Sequence, residues 1–275
     1  MNILQSLLYG LLSGLAEFLP VSAGAHQGIL AKLFGLNSVH PLCTFFIHIA
    51  CLAAVFISCS PMISRLQREF FLSVRPARGR KSRDRRTAFD VRLLRIAVFP
   101  MLLGILLYGF TVKLANNLFV LFIFLILNGI IIMVPEYMAH GNKTAKHMSA
   151  LDGIGIGVAG AFSVLPGISR TAAICSYSLS RGVDRQTGLN WALVLSIPAL
   201  LLMSLFDLIG ILIAGFSGLD FLVVLGYFLA GVLAFLGAYF GILFIRFMTV
   251  RTGNIALAYY NWGIGLFALI LYLIV

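Results

Sequence analysis

The chain is built from long apolar runs separated by short polar segments. The runs cover residues 3–19, 27–36, 41–60, 94–112, 118–135, 151–165, 171–180, 187–214, 220–245 and 255–275. Most of them are close to the ~20 residues with which an α-helix crosses the hydrocarbon core of a bilayer. The pattern therefore predicts an all-α polytopic membrane protein that forms a single integral-membrane domain over residues 1–275.

Two regions depart from this pattern. At 3–36 and at 151–181, an apolar run is interrupted at a proline and then continues as a stub too short to span a bilayer, which takes ~20 residues. Non-helical backbone at membrane depth is tolerated only inside protein or beside a water-filled cavity. We predict that both regions are re-entrant hairpins, with break points at Pro20–Ser22 and at Pro166–Ser169.

The two breaks resemble each other in sequence and in their place along the chain. One reads FLPVS over residues 18–22, the other reads VLPGIS over residues 164–169, and each hairpin precedes three full spans. An odd number of crossings per unit forces the second unit to insert upside down. We therefore predict an inverted repeat, with repeat 1 at 1–135, repeat 2 at 151–275, and the two breaks meeting near the midplane.

The charges of the chain fit a membrane protein better than a nucleic-acid-binding one. Charged residues are 11% of the chain, against about 25% in an average soluble domain. The formal net charge is +11, but eleven of the twenty Lys and Arg lie between Arg65 and Arg95. This basic loop, 61–93, joins two apolar runs, and its most basic stretch, 74–88, carries no aromatic residue. We expect no nucleic acid as partner, and anionic lipid headgroups near the loop.

The distribution of Lys and Arg also predicts an orientation. If loop 61–93 is cytoplasmic, then the polar segments 136–150, 181–186 and 246–254 are cytoplasmic too, and each carries Lys or Arg. The opposite segments hold little more than Lys32 and Lys113, as the positive-inside rule requires. Both termini then lie outside. The segment MNILQS has no basic residue and Glu17 interrupts the first run, so we do not expect a cleaved signal peptide.

The four cysteines, Cys43, Cys51, Cys59 and Cys175, lie within apolar runs. The first three recur every eight residues along one apolar run. We expect buried structural thiols, since the chain has no cysteine pairing of the zinc-binding type.

Ionisable residues within membrane segments are candidates for function. Glu17 and His26 flank the first break, and Arg170 comes directly after the second. If the breaks meet, these three side chains converge. Arg170 then either neutralises Glu17 or binds an anion.

The chemistry of the two breaks favours phosphate. Each proline precedes a new helix whose free N–H groups form an anion site. Ser22, Ser169 and Thr171 add hydroxyls, and the guanidinium of Arg170 matches phosphate oxygens. His26 can act as nucleophile or general acid/base. Glu17 can orient that histidine or hold a divalent cation.

Structural interpretations stand beside these. A membrane serine often bonds its own helix backbone, a proline often makes a kink without chemistry, and Glu17 with Arg170 could be a buried structural pair. His48 could equally bond a neighbouring helix or belong to the site, and Asp207 could join two helices. The conjunction of two Pro-then-Ser breaks with complementary charges favours a functional site.

At these residues the chain resembles the undecaprenyl-diphosphate phosphatase family of the bacitracin-resistance type. The first family motif, Glu-x-x-x-Glu-Phe-Leu-Pro-Val-Ser-Ser-Thr-Gly-His, is similar to SGLAEFLPVSAGAH at 13–26. The second, Pro-Gly-x-Ser-Arg-Ser-Gly, is similar to PGISRTA at 166–172, and a weaker match is Ser196-Ile197-Pro198.

The resemblance implies a bacterial inner-membrane enzyme that hydrolyses undecaprenyl (polyprenyl) diphosphate to the monophosphate and recycles the lipid carrier for cell-wall polymers. It implies a divalent cation, Mg²⁺ or Ca²⁺, and a site that opens toward the outer face. Glu17, Ser22, His26 and Arg170 would be catalytic, and Ser169, Arg170 and Thr171 would bind substrate. The oligomeric state stays open.

The chain departs from the family motifs at several positions. Ser13 stands at the first glutamate, Ala23 at the second serine of the Ser-Ser pair, and Thr171-Ala172 at Ser-Gly. Phosphate binding therefore carries over more completely than hydrolysis. Two alternatives remain: a polyprenyl-phosphate translocase, built as an inverted repeat like many transporters, or a lipid-phosphate binder without catalysis.

Overall fold

The computed structural model describes residues 1–74, 82–138, 141–216, 219–251 and 253–274. These residues form helices without a β-strand in the described ranges, which confirms the all-α prediction. Twelve α-helices succeed one another in the described chain: α1 Ile3–Phe18, α2 Ala23–Leu33, α3 Pro41–Ser58, α4 Ser60–Val74, α5 Ser82–Ile105, α6 Tyr108–Thr111, α7 Leu118–Glu136, α8 Ala150–Ala161, α9 Arg170–Ser180, α10 Arg185–Ala214, α11 Phe221–Arg251 and α12 Ile255–Ile274.

Five of the described helices are long and apolar enough to cross a membrane, namely α3, α7, α10, α11 and α12. Val91–Ile105 and Tyr108–Asn116, bent by 41° relative to each other, are together long and apolar enough for a sixth crossing if the pair is one span. The chain is therefore a multi-pass membrane protein. The sequence did not predict this bend, because Leu106 and Leu107 continue the apolar run 94–112 and its one proline, Pro100, lies earlier, within α5.

The two interrupted runs form helical hairpins, as predicted. Helix α2 begins after a short break that ends α1 and has 11 residues, so it extends about 16 Å at ~1.5 Å per residue. Helix α8 and the 3₁₀ turn Phe162–Val164 precede the second break, and α9, also with 11 residues, begins after it. Neither α2 nor α9 is long enough to reach the far side of a ~30 Å hydrocarbon core.

Helices of one half of the chain pack mainly on helices of the other half. Helix α1 packs along α11, and its counterpart α8 packs along α5; α3 packs on α10, and α7 packs on α12. Each of these pairs joins one half of the chain to the other, which is the pairing that a two-fold relation between the halves produces. The inverted orientation of the second half stays a prediction.

Small residues allow the hairpin helices to approach their partners closely. A Cβ atom on Gly10 or on Gly14 of α1 would lie 2.1 Å from a backbone oxygen of α11, which no real side chain tolerates. Likewise, a Cβ on Gly157 of α8 would lie 2.2 Å from the carbonyl oxygen of Ala97 in α5. Close backbone approach at glycine is the usual way in which helices associate in lipid, where no hydrophobic force drives them together.

Contacts between loops sort the helix ends into two groups. At one end, His40 Nε2 lies 3.2 Å from the carbonyl oxygen of Gly215. At the other, the backbones of Lys143 and Val183 pair, and Arg246 donates to the carbonyl oxygen of Ser58 at 3.0 Å. We call the second group, which includes 58–68, 136–147, 181–185 and 246–254, the basic end. The first, with 34–40, 112–117 and 215–216, is the sparsely charged end.

The basic segment 61–93, predicted as the connection between two spans, is helical over much of its described length. Helix α4 continues to Val74 and α5 begins at Ser82, well before the apolar run. Apolar residues recur along α4 at helical spacing, as at Ile63, Leu66 and Phe70, and the interspersed basic residues obscured this period. The middle of the segment, 75–81, lies outside the described residues.

Candidate active site

The two breaks lie against each other and are joined by their serine side chains. The Oγ of Ser22 accepts a hydrogen bond from the backbone N–H of Gly167 at 2.9 Å. In return, the hydroxyl of Ser169 donates to the carbonyl oxygen of Leu19 at 2.9 Å. Ser22 adopts φ 61, a left-handed conformation that costs a non-glycine residue on the order of 1–3 kcal/mol. The predicted meeting of the breaks is confirmed.

Asparagines of α7 and α12 fix the two breaks in place. Asn128 Nδ2 donates to the carbonyl oxygen of Pro20 at 3.0 Å, and its Oδ1 accepts from the N–H of Ser169 at 2.9 Å. Asn261 Nδ2 donates to the same Pro20 oxygen at 2.9 Å. Both asparagines are fully buried. They form hydrogen bonds with the backbone groups of Pro20 and Ser169, which have no helical partner at the breaks. Irregular backbone at membrane depth requires such partners from the surrounding protein.

Glu17 and Arg170 meet across the junction of the breaks. Arg170 Nη2 lies 3.2 Å from Glu17 Oε1, and the side chains are 8% and 7% exposed. The Nε and Nη1 atoms of Arg170 are buried and have no hydrogen-bond partner among the described residues. A buried guanidinium N–H without an acceptor costs free energy. A bound anionic ligand would supply the missing acceptors.

A cavity of about 530 Å³ lies beside this pair. Glu17, Ser22, Ser169 and Arg170 all line it. Its walls also include Ser38, Lys113 and Asn116, which belong to the sparsely charged end. The cavity therefore leads from the junction of the breaks toward the sparsely charged end.

His26, in contrast, lies on the other side of α2. The residues of α2 that line the cavity lie on one side of the helix, and His26 is not among them; they are Ala23, Gly24, Gln27, Gly28 and Ala31. Its Nδ1 lies 2.8 Å from the carbonyl oxygen of Ser22, and its Nε2 lies 2.8 Å from the hydroxyl of Tyr260. Because a carbonyl only accepts, Nδ1 carries the proton and Nε2 accepts from Tyr260.

Some of the other predicted site residues line the cavity and others lie outside it. Ser22 and Ser169 cap the helices that begin after them, each accepting from an N–H three residues on, so both hydroxyls have structural partners. Ala23 lines the cavity, whereas Thr171 is buried outside its lining. Ser13, where the resemblance implies a glutamate, is buried with its Oγ unpaired among the described residues, and it lies outside the cavity lining.

A second ionisable pair lines the same cavity. The sequence had left His48 open between a structural role and a site role, and had offered Asp207 as a possible contact between helices. His48 Nδ1 of α3 lies 2.6 Å from Asp207 Oδ2 of α10, and both side chains are buried. The hydroxyl of Thr44 donates to the other carboxylate oxygen at 2.9 Å. The signal in the sequence was a lone His and a lone Asp in apolar runs; their partnership across 159 residues could not be inferred from spacing.

The donors of this cavity suit a phosphate group better than a protein-only metal site. No three His, Cys, Asp or Glu side chains within the described ranges come close enough together to hold an ion. However, Glu17 presents a carboxylate to the cavity, and Mg²⁺ is commonly held by one or two carboxylates plus substrate phosphates. The residues fit a cation shared between Glu17 and a bound diphosphate.

The four cysteines lie outside the cavity lining. All of them are free and buried, as predicted: Cys43, Cys51, Cys59 and Cys175.

Comparison with known proteins gives one family over nearly the whole chain. Residues 6–267 match the family described as bacitracin resistance protein BacA. A curated undecaprenyl-diphosphatase of Carboxydothermus hydrogenoformans is 31% identical over 98% of this chain and 98% of its own length. Undecaprenyl-diphosphatases of Nocardioides sp. (32% identical, 75% of each chain) and Treponema denticola (30% identical, 96% of this chain and 99% of that protein) are also similar.

Proposed function

The chain belongs to the BacA family, and from that membership we propose that it is an integral-membrane undecaprenyl-diphosphatase. It hydrolyses the phosphoanhydride of undecaprenyl diphosphate and returns the monophosphate to cell-wall synthesis. The names of its relatives favour hydrolysis over the translocase and over the non-catalytic binder.

The observation that carries this proposal is the state of Arg170. Its side chain is 8% exposed and lines the cavity, yet only Nη2 is engaged, with Glu17 and with the sulfur of Met203. Nε and Nη1 are donors that no described residue engages, and a guanidinium commonly donates to phosphate oxygens. The first N–H groups of α9, which begins at Arg170, add the positive end of a helix dipole at the same place.

Glu17 would hold a divalent cation together with the diphosphate. Its Oε1 lies 3.2 Å from Arg170 Nη2, and both residues line the cavity. When bound, Mg²⁺ or Ca²⁺ would neutralise the charge that develops on the phosphate oxygens. Arg170 orients the diphosphate, and the junction of the breaks shields it from the basic end of the bundle.

His26 remains a candidate for general acid/base work or for the nucleophile, and Ser22 for the nucleophile. Before either residue could react with the phosphate, it would have to break one of the hydrogen bonds that it makes in the structure. His26 Nε2 is bonded to Tyr260, and Ser22 Oγ accepts from the N–H of Gly167 and from that of Ala25. Direct attack by water requires neither change, which supports it as the chemical step.

The basic end would face the cytoplasm of a bacterial inner membrane and attract anionic headgroups. Lys143, Arg181, Arg185 and Arg246 all belong to that end, while Lys113 lies at the other. Under the positive-inside rule the cavity then leads to the outer face, and both termini lie outside. The inverted repeat accounts for both hairpins approaching one junction from opposite ends.

Phosphate release tests the proposal. The purified protein in detergent with Mg²⁺ or Ca²⁺ is expected to release inorganic phosphate from undecaprenyl diphosphate and to leave the monophosphate. Binding of the diphosphate without release would overturn the proposal and favour the binder or the translocase. The two latter outcomes separate in vesicles, where only a translocase moves the lipid phosphate between leaflets.

A further inference from the structure

Beyond the residues implied by the family motifs, the cavity holds an unassigned pair, His48 and Asp207. We propose that His48 is the general base of the hydrolysis and that Asp207 is its positioning residue. The inference rests on the proposed phosphatase function. It concerns residues that lie in α3 and α10, outside both break motifs.

The hydrogen bond between the two fixes the state of the imidazole. His48 Nδ1 donates to Asp207 Oδ2 at 2.6 Å, so in the neutral ring Nε2 carries the lone pair. Among the described residues Nε2 has no hydrogen-bond partner, while His48 itself lines the cavity. An Asp–His pair with a free Nε2 is the arrangement that accepts a proton from a nucleophile in many hydrolases.

The surroundings hold the ring in this orientation. Thr44 donates to the carboxylate oxygen that His48 does not use, at 2.9 Å. The ring of Tyr108 meets that of His48 edge-on, with centroids 6.4 Å apart. His48 is 2% exposed and Asp207 is 6% exposed, so neither side chain is free to rotate into solvent. A base held in one geometry can act without reorganisation during the reaction.

The pair also supplies the second carboxylate that α1 lacks. The resemblance implies two carboxylates on α1, and this chain keeps only Glu17 there, with Ser13 at the other position. Asp207 brings a carboxylate to the same cavity from α10.

His48 shares the cavity with several titratable or charged groups. In the described elements that line it, these are Tyr9 and Glu17 of α1, Tyr108 of α6, Arg170 of α9, Asp207 of α10, and Lys113 near the mouth.

The hydrolytic step begins with water. A water oxygen attacks the terminal phosphorus while one of its protons passes to His48 Nε2. The bond between that phosphorus and the bridging oxygen breaks, and the bridging oxygen keeps the electron pair as part of the leaving undecaprenyl monophosphate. The second product is inorganic phosphate, and the imidazolium, stabilised by Asp207, later returns its proton to solvent.

The test compares His48→Gln with wild type in the phosphate-release assay. Glutamine retains a donor for Asp207 but has no basic nitrogen, so kcat is expected to fall by roughly 10²–10⁴ with KM little changed. The acid limb that the imidazole contributes to the pH profile of kcat should disappear. Asp207→Asn should lower kcat as well, because an amide donor would push the ring proton onto Nε2. His147→Gln, an exposed histidine at the basic end, is the matched control.

A second variant covers the case in which His48→Gln is poorly folded. His48→Ala leaves a space for imidazole, and added imidazole should restore turnover in that variant and not in Arg170→Lys. Wild-type kcat and an unchanged pH profile in His48→Gln, or no rescue of folded His48→Ala, would overturn the role of His48 and leave the phosphatase proposal standing. A wild-type protein that releases no phosphate would overturn both.

Discussion

Replacing Arg170 by lysine isolates the contribution of its guanidinium fork. Lysine keeps a positive charge beside Glu17, so the buried pair is not left with an uncompensated carboxylate, a change that costs about 3–5 kcal/mol elsewhere. It removes Nε and Nη1, which are buried and free of partners within the described part of the chain. The substitution therefore acts on the ligand more than on the fold.

The expected loss comes from two charge-assisted hydrogen bonds. Each is worth about 1.5–3 kcal/mol, so losing both costs about 3–6 kcal/mol of transition-state binding. At ~1.4 kcal/mol per factor of ten, kcat/KM for undecaprenyl diphosphate should fall by roughly 10²–10⁴. Phosphate release measured over a range of substrate concentrations gives the value, and the thermal unfolding midpoint shows whether the variant is folded.

Arg181→Lys is the matched control. Arg181 also bonds a buried carboxylate, with Nε 2.9 Å from Asp152 Oδ1, but it lies at the basic end and its side chain is 49% exposed. This variant should keep wild-type kcat/KM. If Arg170→Lys is folded and turns over substrate as fast as Arg181→Lys does, the free guanidinium donors do not bind the diphosphate, and the role assigned to Arg170 is refuted.

Further predictions address packing, the breaks, the cation and the orientation. Gly14→Leu should prevent α1 from meeting α11 and abolish the folded, monodisperse protein on size exclusion, whereas Gly263→Ala, where no atom lies within 4 Å of the added carbon, should not. Asn128→Ala should cost about 1–3 kcal/mol for each polar group that it orphans, seen as a lower unfolding midpoint; an unchanged midpoint would contradict the role of Asn128 at the breaks. Chelation of divalent cations should stop phosphate release without lowering the midpoint, and readdition of Mg²⁺ or Ca²⁺ should restore it; turnover that persists in chelator argues against the cation. In intact cells, an impermeant thiol reagent should label Asn37→Cys and not Lys146→Cys, since all four native cysteines are buried; the reverse result would invert the orientation.

The paired breaks were predictable because they violate a strong rule. Prolines and ionisable residues are expensive within apolar runs, so Pro20, Glu17 and Arg170 stood out in a chain that is 61% hydrophobic. The similarity of the two break sequences then placed them together, and the serine-to-backbone bonds between them confirm it. Composition and run length were likewise enough for the class of fold.

Other features of the site depend on how the helices rotate and pack, which a single sequence does not reveal. His26 belongs to the motif, but its side chain faces Tyr260 because α2 turns the face with Gly24 and Gly28 to the cavity. The partnership of His48 with Asp207 depends on how α3 and α10 pack. The bend after Ile105 has no local signal, and the period of α4 was hidden among basic residues.

The packing of α1 on α11 has a consequence for biosynthesis. The first helix leaves the ribosome long before Phe221–Arg251 exists; at ~5–20 residues per second, the wait is on the order of ten seconds or more. During that interval the glycine face of α1 lacks its partner α11, and the carbonyl oxygen of Pro20 lacks Asn261, one of its two asparagine partners. The nascent hairpin must therefore be held by the insertion machinery or at the membrane surface, and a chain that stops before Phe221 would present an incomplete helix face to cellular proteases.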